Sequence, residues 1–239
     1  MDNLINLKDL LNHEILDLYS AEKQIIEALP DMIEAAYDVQ LKNALQDHLE
    51  VTETHKERLE KIYYMLADNP EEADVLKEDK GFFSRLFGGV SNPKCRGTEG
   101  LLEEGKKMIT ENMTTEVKDA AIIAAVQKVE HYEISGYGTA LAYARQLNLE
   151  FAATLLEETL NEEYDADDLL TELAVGKLNI DAENAAENYN SEGAGTYQPE
   201  NFEATEGKSL FADFSHDTTN DEAEFADDPK QNISNKNVF

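Results

Sequence analysis

Six ionisable side chains, Glu22, His48, His55, Glu130, Glu133 and Glu163, fall at positions where the hydrophobic period asks for apolar ones. With spacings of three and four residues, each continues a stripe that is otherwise apolar. An ionised carboxylate in a low-dielectric interior costs several kcal/mol unless it is paired or bound to metal. Four glutamates facing one another would repel, and some would have to take up protons. Two divalent cations would cancel that charge instead. Four carboxylates and two imidazoles on four helices form a ligand set suited to two ions of iron or manganese. A divalent metal, iron or manganese, is therefore the expected cofactor. Each residue alone also has a plainer reading. A glutamate on a stripe commonly sits at its edge with the carboxylate in water, and a single core histidine is commonly just hydrogen-bonded. Six such residues at similar depth on separate helices weigh against six independent coincidences. Tyr137, on the same stripe as Glu130 and Glu133, is read as packing.

The elements that must position these groups follow from the same periodicity. A first helix is predicted over Leu4 to Tyr37, with the stripe Leu4, Leu7, Leu11, Ile15, Leu18, Glu22, Ile25, Leu29 and Ile33. Pro30 lies inside it, and a kink or break is expected there, because proline removes a backbone donor and crowds the preceding turn. A second helix is predicted over Val39 to Ala67, through Leu41, Leu45, His48, Thr52, His55, Leu59, Ile62 and Leu66. A third long helix, Glu116 to Leu147, carries Ile123, Val126, Glu130, Glu133, Tyr137, Ala140 and Ala144. A fourth, Glu150 to Val175, carries Ala152, Leu156, Thr159, Glu163, Ala166 and Leu170, with Gly176 as its expected C-terminal stop. Gly136 and Gly138 are read as allowing close helix approach at some cost in helix stability. The two helix pairs also resemble two halves: an offset of 111 residues carries Glu22 onto Glu133 and Thr52 onto Glu163.

Between the second and third long helices, Asp68 to Arg96 reads as a long crossover, with Asn69-Pro70, Gly81, Gly88-Gly89 and Asn92-Pro93 as turn signals. It holds a small apolar patch, Phe82-Phe83 with Leu86-Phe87. A short helix is predicted after it, Thr98 to Glu111, with Thr98 as N-cap. These elements define an all-α fold: an antiparallel four-helix bundle with a long crossover carrying a short extra helix, plus an acidic C-terminal tail. The bundle is placed at residues 1–177 and the extension at 178–239. From Ile180 to Phe239 the chain has 14 acidic and 3 basic residues and no helical period, which is a disorder signature. Tyr189, Tyr197, Phe202, Phe211, Phe214, Phe225 and Phe239 recur along it, so docking on the bundle or on a partner is the second reading of the tail.

Composition narrows the function. The formal net charge of −31 over 239 residues argues against nucleic acid, whose binding needs cations to displace counterions, and against an anionic membrane surface. No apolar run approaches the roughly 18–20 residues of a membrane span, and Met1 to Leu11 lack the pattern of a secretory signal. Cys95, the single cysteine, has no internal disulfide partner, in keeping with a reducing compartment and a cytoplasmic location. The sequence shows no Gly-rich phosphate loop, no CxxC and no HExxH, and Ser135 stands mid-helix rather than on a nucleophile elbow.

Several segments together resemble the YciF-like group of the ferritin-like superfamily, a domain of unknown function. They are Leu18-Tyr19-Ser20-Ala21-Glu22-Lys23-Gln24 with Ala28-Leu29-Pro30; His48-Leu49-Glu50-Val51-Thr52 with Arg58-Leu59-Glu60; Lys94-Cys95 with Glu99-Gly100; Asp119-Ala120-Ala121; Val129-Glu130-His131-Tyr132-Glu133-Ile134 with Gly136-Tyr137-Gly138; and Leu156-Glu157-Glu158-Thr159-Leu160 with Glu162-Glu163. The resemblance covers about Leu4 to Ala174. It implies a ferritin-like bundle that forms a homodimer or higher homo-oligomer, an association with stress conditions, and Glu22, Glu133 and Glu163 as carboxylate ligands with His48 nearby. The chain departs from the ExxH pattern expected on two helices, offering Thr52-x-x-His55 and Glu163-x-x-Ala166. Two functions follow as expectations. One is a di-metal carboxylate protein that oxidises Fe²⁺ or consumes peroxide. The other is a metal-free structural or interaction protein whose bundle and acidic tail mediate assembly.

Overall fold

The computed structural model describes residues 4–66 and 94–191, the last six of these by backbone alone. The crossover patch around Phe82 and the aromatic residues of the tail from Tyr197 onward lie outside the described residues. Four long helices dominate: α1 (Leu7–Ala35), α2 (Val39–Leu66), α4 (Thr115–Gln146) and α5 (Glu150–Leu173). A shorter helix, α3 (Arg96–Thr110), precedes α4, and α6 (Asn179–Ser191) follows α5. The described residues therefore form an all-α bundle, as their periodicity predicts.

Local chemistry sets the helix ends. The Asn6 side chain accepts the Asp9 amide at 2.9 Å and caps α1. Asp38 Oδ1 accepts the Gln40 and Leu41 amides at the start of α2. Buried Asp119 reaches from α4 to accept the amides of Tyr37 and Asp38 at 2.7 and 2.8 Å, which fixes the α1–α2 turn against α4. Thr114 caps α4. Between α4 and α5, Asn148 adopts φ 56°, the left-handed conformation that asparagine tolerates. There the Leu149 amide bonds the Ala144 carbonyl and the Asn148 amide bonds that of Arg145, a Schellman closure.

Contacts between helices fix their directions. Leu18 lies against Gly136, whereas Tyr37 lies against Asp119, so α1 and α4 run oppositely. His55 meets Glu162 and Arg58 meets Glu158, so α2 and α5 do too. With the short α1–α2 and α4–α5 turns, each long helix is antiparallel to both neighbours.

Five expectations are corrected. Of the kink or break expected at Pro30, the break does not occur: α1 runs through it to Ala35, with Pro30 exposed. Thr98 is not the N-cap of α3; the helix begins at Arg96 with Cys95 at the cap, and Thr98 is buried inside it. Gly176 does not stop the fourth helix. The chain passes through a π-helical turn, Ala174–Leu178, into α6, burying Leu178 and Ala185. The first part of the extension expected from residue 178 is thus helical and packed, because Leu178 and Ala185 supply the apolar contacts its composition obscures. Of the two glycines on α4, only Gly136 serves close approach. A Cβ there would stand 2.8 Å from Leu18 Cδ2, whereas one at Gly138 would meet nothing within 4 Å.

The core is divided. One apolar cluster holds Leu11, Ile15, Leu18, Leu59, Ile62, Tyr137, Ala140, Ala144 and Leu156. The other holds Ile25, Leu29, Met32, Leu41, Leu45, Ile122, Ile123, Val126 and Leu170. In sequence, Glu22, His48, Thr52, His55, Glu130, Glu133, Thr159 and Glu163 fall between these sets on their helices, and all are buried. The two apolar clusters therefore enclose a layer of ionisable side chains.

Candidate metal centre

α1 contributes Glu22, α2 His48 and His55, α4 Glu130 and Glu133, and α5 Glu163. Each points inward because its helix turns that stripe toward the other three. The six residues singled out in the sequence are all buried in the core.

Their donor atoms gather in two groups. One atom each from Glu22, His55 and Glu163 lie within 4.8 Å of one another, as do one each from His48, Glu130 and Glu163. Glu163 belongs to both groups and joins them. Glu133 falls in neither, yet it is fully buried and feels the charges of Glu22, Glu163 and Glu130.

The donors converge without satisfying one another. Both oxygens of Glu130, Glu133 and Glu163, one oxygen of Glu22, His48 Nε2 and His55 Nδ1 are buried and lack hydrogen-bond partners. His55 Nδ1 lies 2.9 Å from Glu163 Oε1 and 3.6 Å from Glu22 Oε1, and His48 Nε2 lies 3.2 Å from Glu130 Oε1. These are close approaches without hydrogen-bond geometry. As ionised groups, acceptor faces acceptor, and a cation or a shared proton, such as one between Glu130 and Glu163, relieves the repulsion.

The other nitrogen of His55 explains why. Its Nε2 lies 2.9 Å from Glu162 Oε2, and because Arg58 keeps that carboxylate ionised the ring proton is assigned to Nε2. Nδ1 is then left as a lone-pair donor aimed at Glu22 and Glu163. Glu162 is in turn clamped by Arg58, whose Nη2 donates to Oε1 at 3.0 Å and whose Nη1 donates to Oε2 and to Thr159 Oγ1. The pairing with Arg58 and His55 outweighs desolvation and holds the Glu162 carboxyl below its ordinary range. A carboxylate fixing a histidine in this way is a recurrent arrangement around metal-ligating imidazoles.

The proton affinities of the layer follow from its burial. Desolvation pushes the Glu22 carboxyl up to about 8, opposed by His55 and the Tyr137 hydroxyl and reinforced by Glu163 and Glu130. Burial pushes Glu163 up to about 7. Glu130 stands well above the ordinary carboxylate value through burial, despite His48. Glu133 is raised well above the ordinary carboxylate value by burial and then by the neighbouring carboxylates. The residues present therefore fit divalent cations: hard oxygen donors, two imidazoles and an excess of buried negative charge.

Three participants escaped the sequence reading. Tyr137 packs, as expected, but its hydroxyl also donates to Glu22, and its ring meets that of His55 edge-on at 6.2 Å. Arg58 and Glu162 were quoted only as matching residues, with no role assigned. The available signal was positional: Arg58 lies three residues after His55, and Glu162 is adjacent to Glu163, at the edge of the same helix faces.

Fold and site together define an all-α helical-bundle protein with an ionisable layer sealed in its core. The chain belongs to the family described as Domain of unknown function (DUF892), which matches residues 6–78 and 80–183. It is 40% identical over 184 residues to Protein YciF of Escherichia coli (strain K12), spanning 77% of this chain and 99% of that protein. The crystal structure of the E. coli stress protein YciF superposes with a TM-score of 0.60 at 38% identity, covering 74% of this chain and 99% of that one. A solved structure of YcfI from Rhodopseudomonas palustris gives the same TM-score at 36% identity, covering 71% and 95%. No helix among the described residues is long and apolar enough to cross a membrane.

Proposed function

We propose that the bundle is a ferritin-like di-metal carboxylate protein, binding two ions of iron or manganese through Glu22, His48, His55, Glu130, Glu133 and Glu163. The observation that carries this reading is the set of buried, unpartnered carboxylate oxygens and imidazole nitrogens directed at one another. Glu22, His55 and Glu163 would hold one ion, and His48, Glu130 and Glu163 the other, with Glu133 supplying further negative charge. Bound iron or manganese would supply a redox-active Lewis acid suited to Fe²⁺ oxidation or peroxide consumption.

The chain's own residues do the remaining work. Glu162 and Arg58 orient His55, Tyr137 orients Glu22, and the apolar clusters on either side exclude water from the layer. The likeness to the E. coli stress protein supports a role under stress conditions.

Metal analysis of protein purified without chelator tests the reading, together with melting curves in Mn²⁺ or anaerobic Fe²⁺. Binding to the folded form raises the melting temperature by mass action. Protein free of iron and manganese whose melting is unchanged by either ion would instead favour the metal-free structural reading.

A further inference from the structure

Beside the metal layer, a cavity of about 260 Å³ opens between α2 and α5. Its walls are mostly apolar, with Leu45, Val51, Val126 and Leu170 among them; half-buried Glu162 also lines it, and the exposed carboxylates Asp47 and Asp165 border it. His48 lines it, 9% exposed, with Nε2 lacking a hydrogen-bond partner and facing Glu130 at 3.2 Å. The same imidazole and Glu130 also border a smaller inner space near Val126 and Val129. His48 thus stands between an acidic opening and the buried donors.

The departure from ExxH gives the cavity its room. Ala166 lies three residues after Glu163, where a histidine would complete that motif, and its methyl group lines the cavity. Ala44, four residues before His48, does the same on α2. Both are small side chains, and volume is left in the cavity that bulkier residues at these positions would fill.

We propose that this cavity is the route by which divalent cations reach the core, with Asp47 and Asp165 gathering the ion and His48 receiving it. The inference rests on the metal-binding reading above and deepens it. Three features carry it together: an opening, carboxylates at its mouth, and an unsatisfied, nine-tenths-buried imidazole at its inner end. Carboxylates at the mouth of a low-dielectric cleft raise the local cation concentration and accelerate association, an effect that salt weakens. A groove of similar volume between α1 and α3 also carries acids, Glu27, Asp31, Glu99 and Glu103, but it is lined by none of the six buried donors.

The test is stopped-flow loading of Co²⁺ into metal-stripped full-length protein, followed by visible absorption, at low and moderate ionic strength. The double variant Asp47→Asn/Asp165→Asn is expected to load about tenfold more slowly, with a weakened salt dependence, while binding the same number of ions at equilibrium. Ala166→Phe, which fills the cavity without altering charge, is expected to slow loading at every ionic strength. Glu27→Gln/Glu103→Gln removes equal charge from the other groove and is expected to load at the wild-type rate. Wild-type rates in both the Asp47/Asp165 and Ala166 variants, or slowing confined to the Glu27/Glu103 variant, overturn the route. Wild-type protein that takes up no Co²⁺ at all overturns the metal-binding reading and the route with it.

Discussion

His55 holds Nδ1 2.9 Å from Glu163 Oε1 with no hydrogen bond between them, although both atoms are buried. A histidine and a glutamate in water would pair through a proton on that nitrogen. Glu162, held ionised by Arg58, favours the ring proton on the far side, which leaves the near side as an acceptor beside the Glu163 carboxyl.

The first prediction concerns that orientation. Glu162→Gln keeps the size of the side chain but loses the charge that fixes the His55 tautomer and pairs with Arg58. Comparable changes around metal-ligating histidines cost about 10–100-fold in affinity. Titration with Mn²⁺ is expected to show a loss of that order, with ligand residues left in place. An unchanged affinity would remove Glu162 from the description of the site.

The pH dependence of the metal-free protein follows from the raised carboxyls. Unfolded glutamates titrate near 4.3, whereas Glu22 and Glu163 titrate at about 8 and about 7 in the folded state. Between those limits the folded state binds more protons than the unfolded one, so stability falls as pH rises. Their favourable contribution is complete below about pH 4 and is lost by about pH 8. Melting temperature measured in chelator is expected to decline from pH 5 to pH 8. Saturating Mn²⁺ should flatten or reverse the decline, because cations replace the protons. A melting temperature that rises with pH in chelator would contradict the burial of these groups as acids.

Glu133 separates stability from function. It is buried, both oxygens are unpartnered, and burial followed by the neighbouring carboxylates raises its proton affinity. Glu133→Gln removes the need to bury or protonate a fourth carboxylate. The metal-free variant is expected to melt higher than wild type at pH 8, with a smaller gain at pH 5, and to bind metal more weakly. Lower melting at both pH values would show that Glu133 contributes structurally in its charged form.

Much of this was legible in the sequence because burial and helical period are the same information seen twice. The stripe through Leu41, Leu45, His48, Thr52, His55, Leu59, Ile62 and Leu66 is also the complete set of residues that α2 buries. The six ionisable residues were visible because each interrupts such a stripe. What stayed hidden depends on neighbours distant in sequence. The clamp of Arg58 on Glu162 spans 104 residues, and the bond from Tyr137 to Glu22 spans 115. Arg58, Glu162 and Tyr137 are not anomalous on their own helices, and the anomaly at Glu22 does not name its partner. The stop at Gly176 failed because a glycine after an apolar period is a local cue, whereas Leu178 and Ala185 are held by burial.

Two glycines two residues apart on α4 are expected to respond in opposite directions. Gly138 has open space where a Cβ would go, so Gly138→Ala should stabilise by about 0.5–1 kcal/mol through helix propensity. Gly136→Ala would press its methyl on Leu18, which is itself packed in the core, and is expected to destabilise. Denaturant midpoints of the two variants give the signs. Equal stabilisation would mean that α1 can move away from α4 at little cost.

The most direct test of the central claim is a crystal structure grown with Mn²⁺ and examined by anomalous scattering at the manganese edge. Two peaks are expected, one among Glu22, His55 and Glu163 and one among His48, Glu130 and Glu163, with Glu163 touching both. Manganese confined to surface carboxylates, with the core donors paired only through protons, would contradict it.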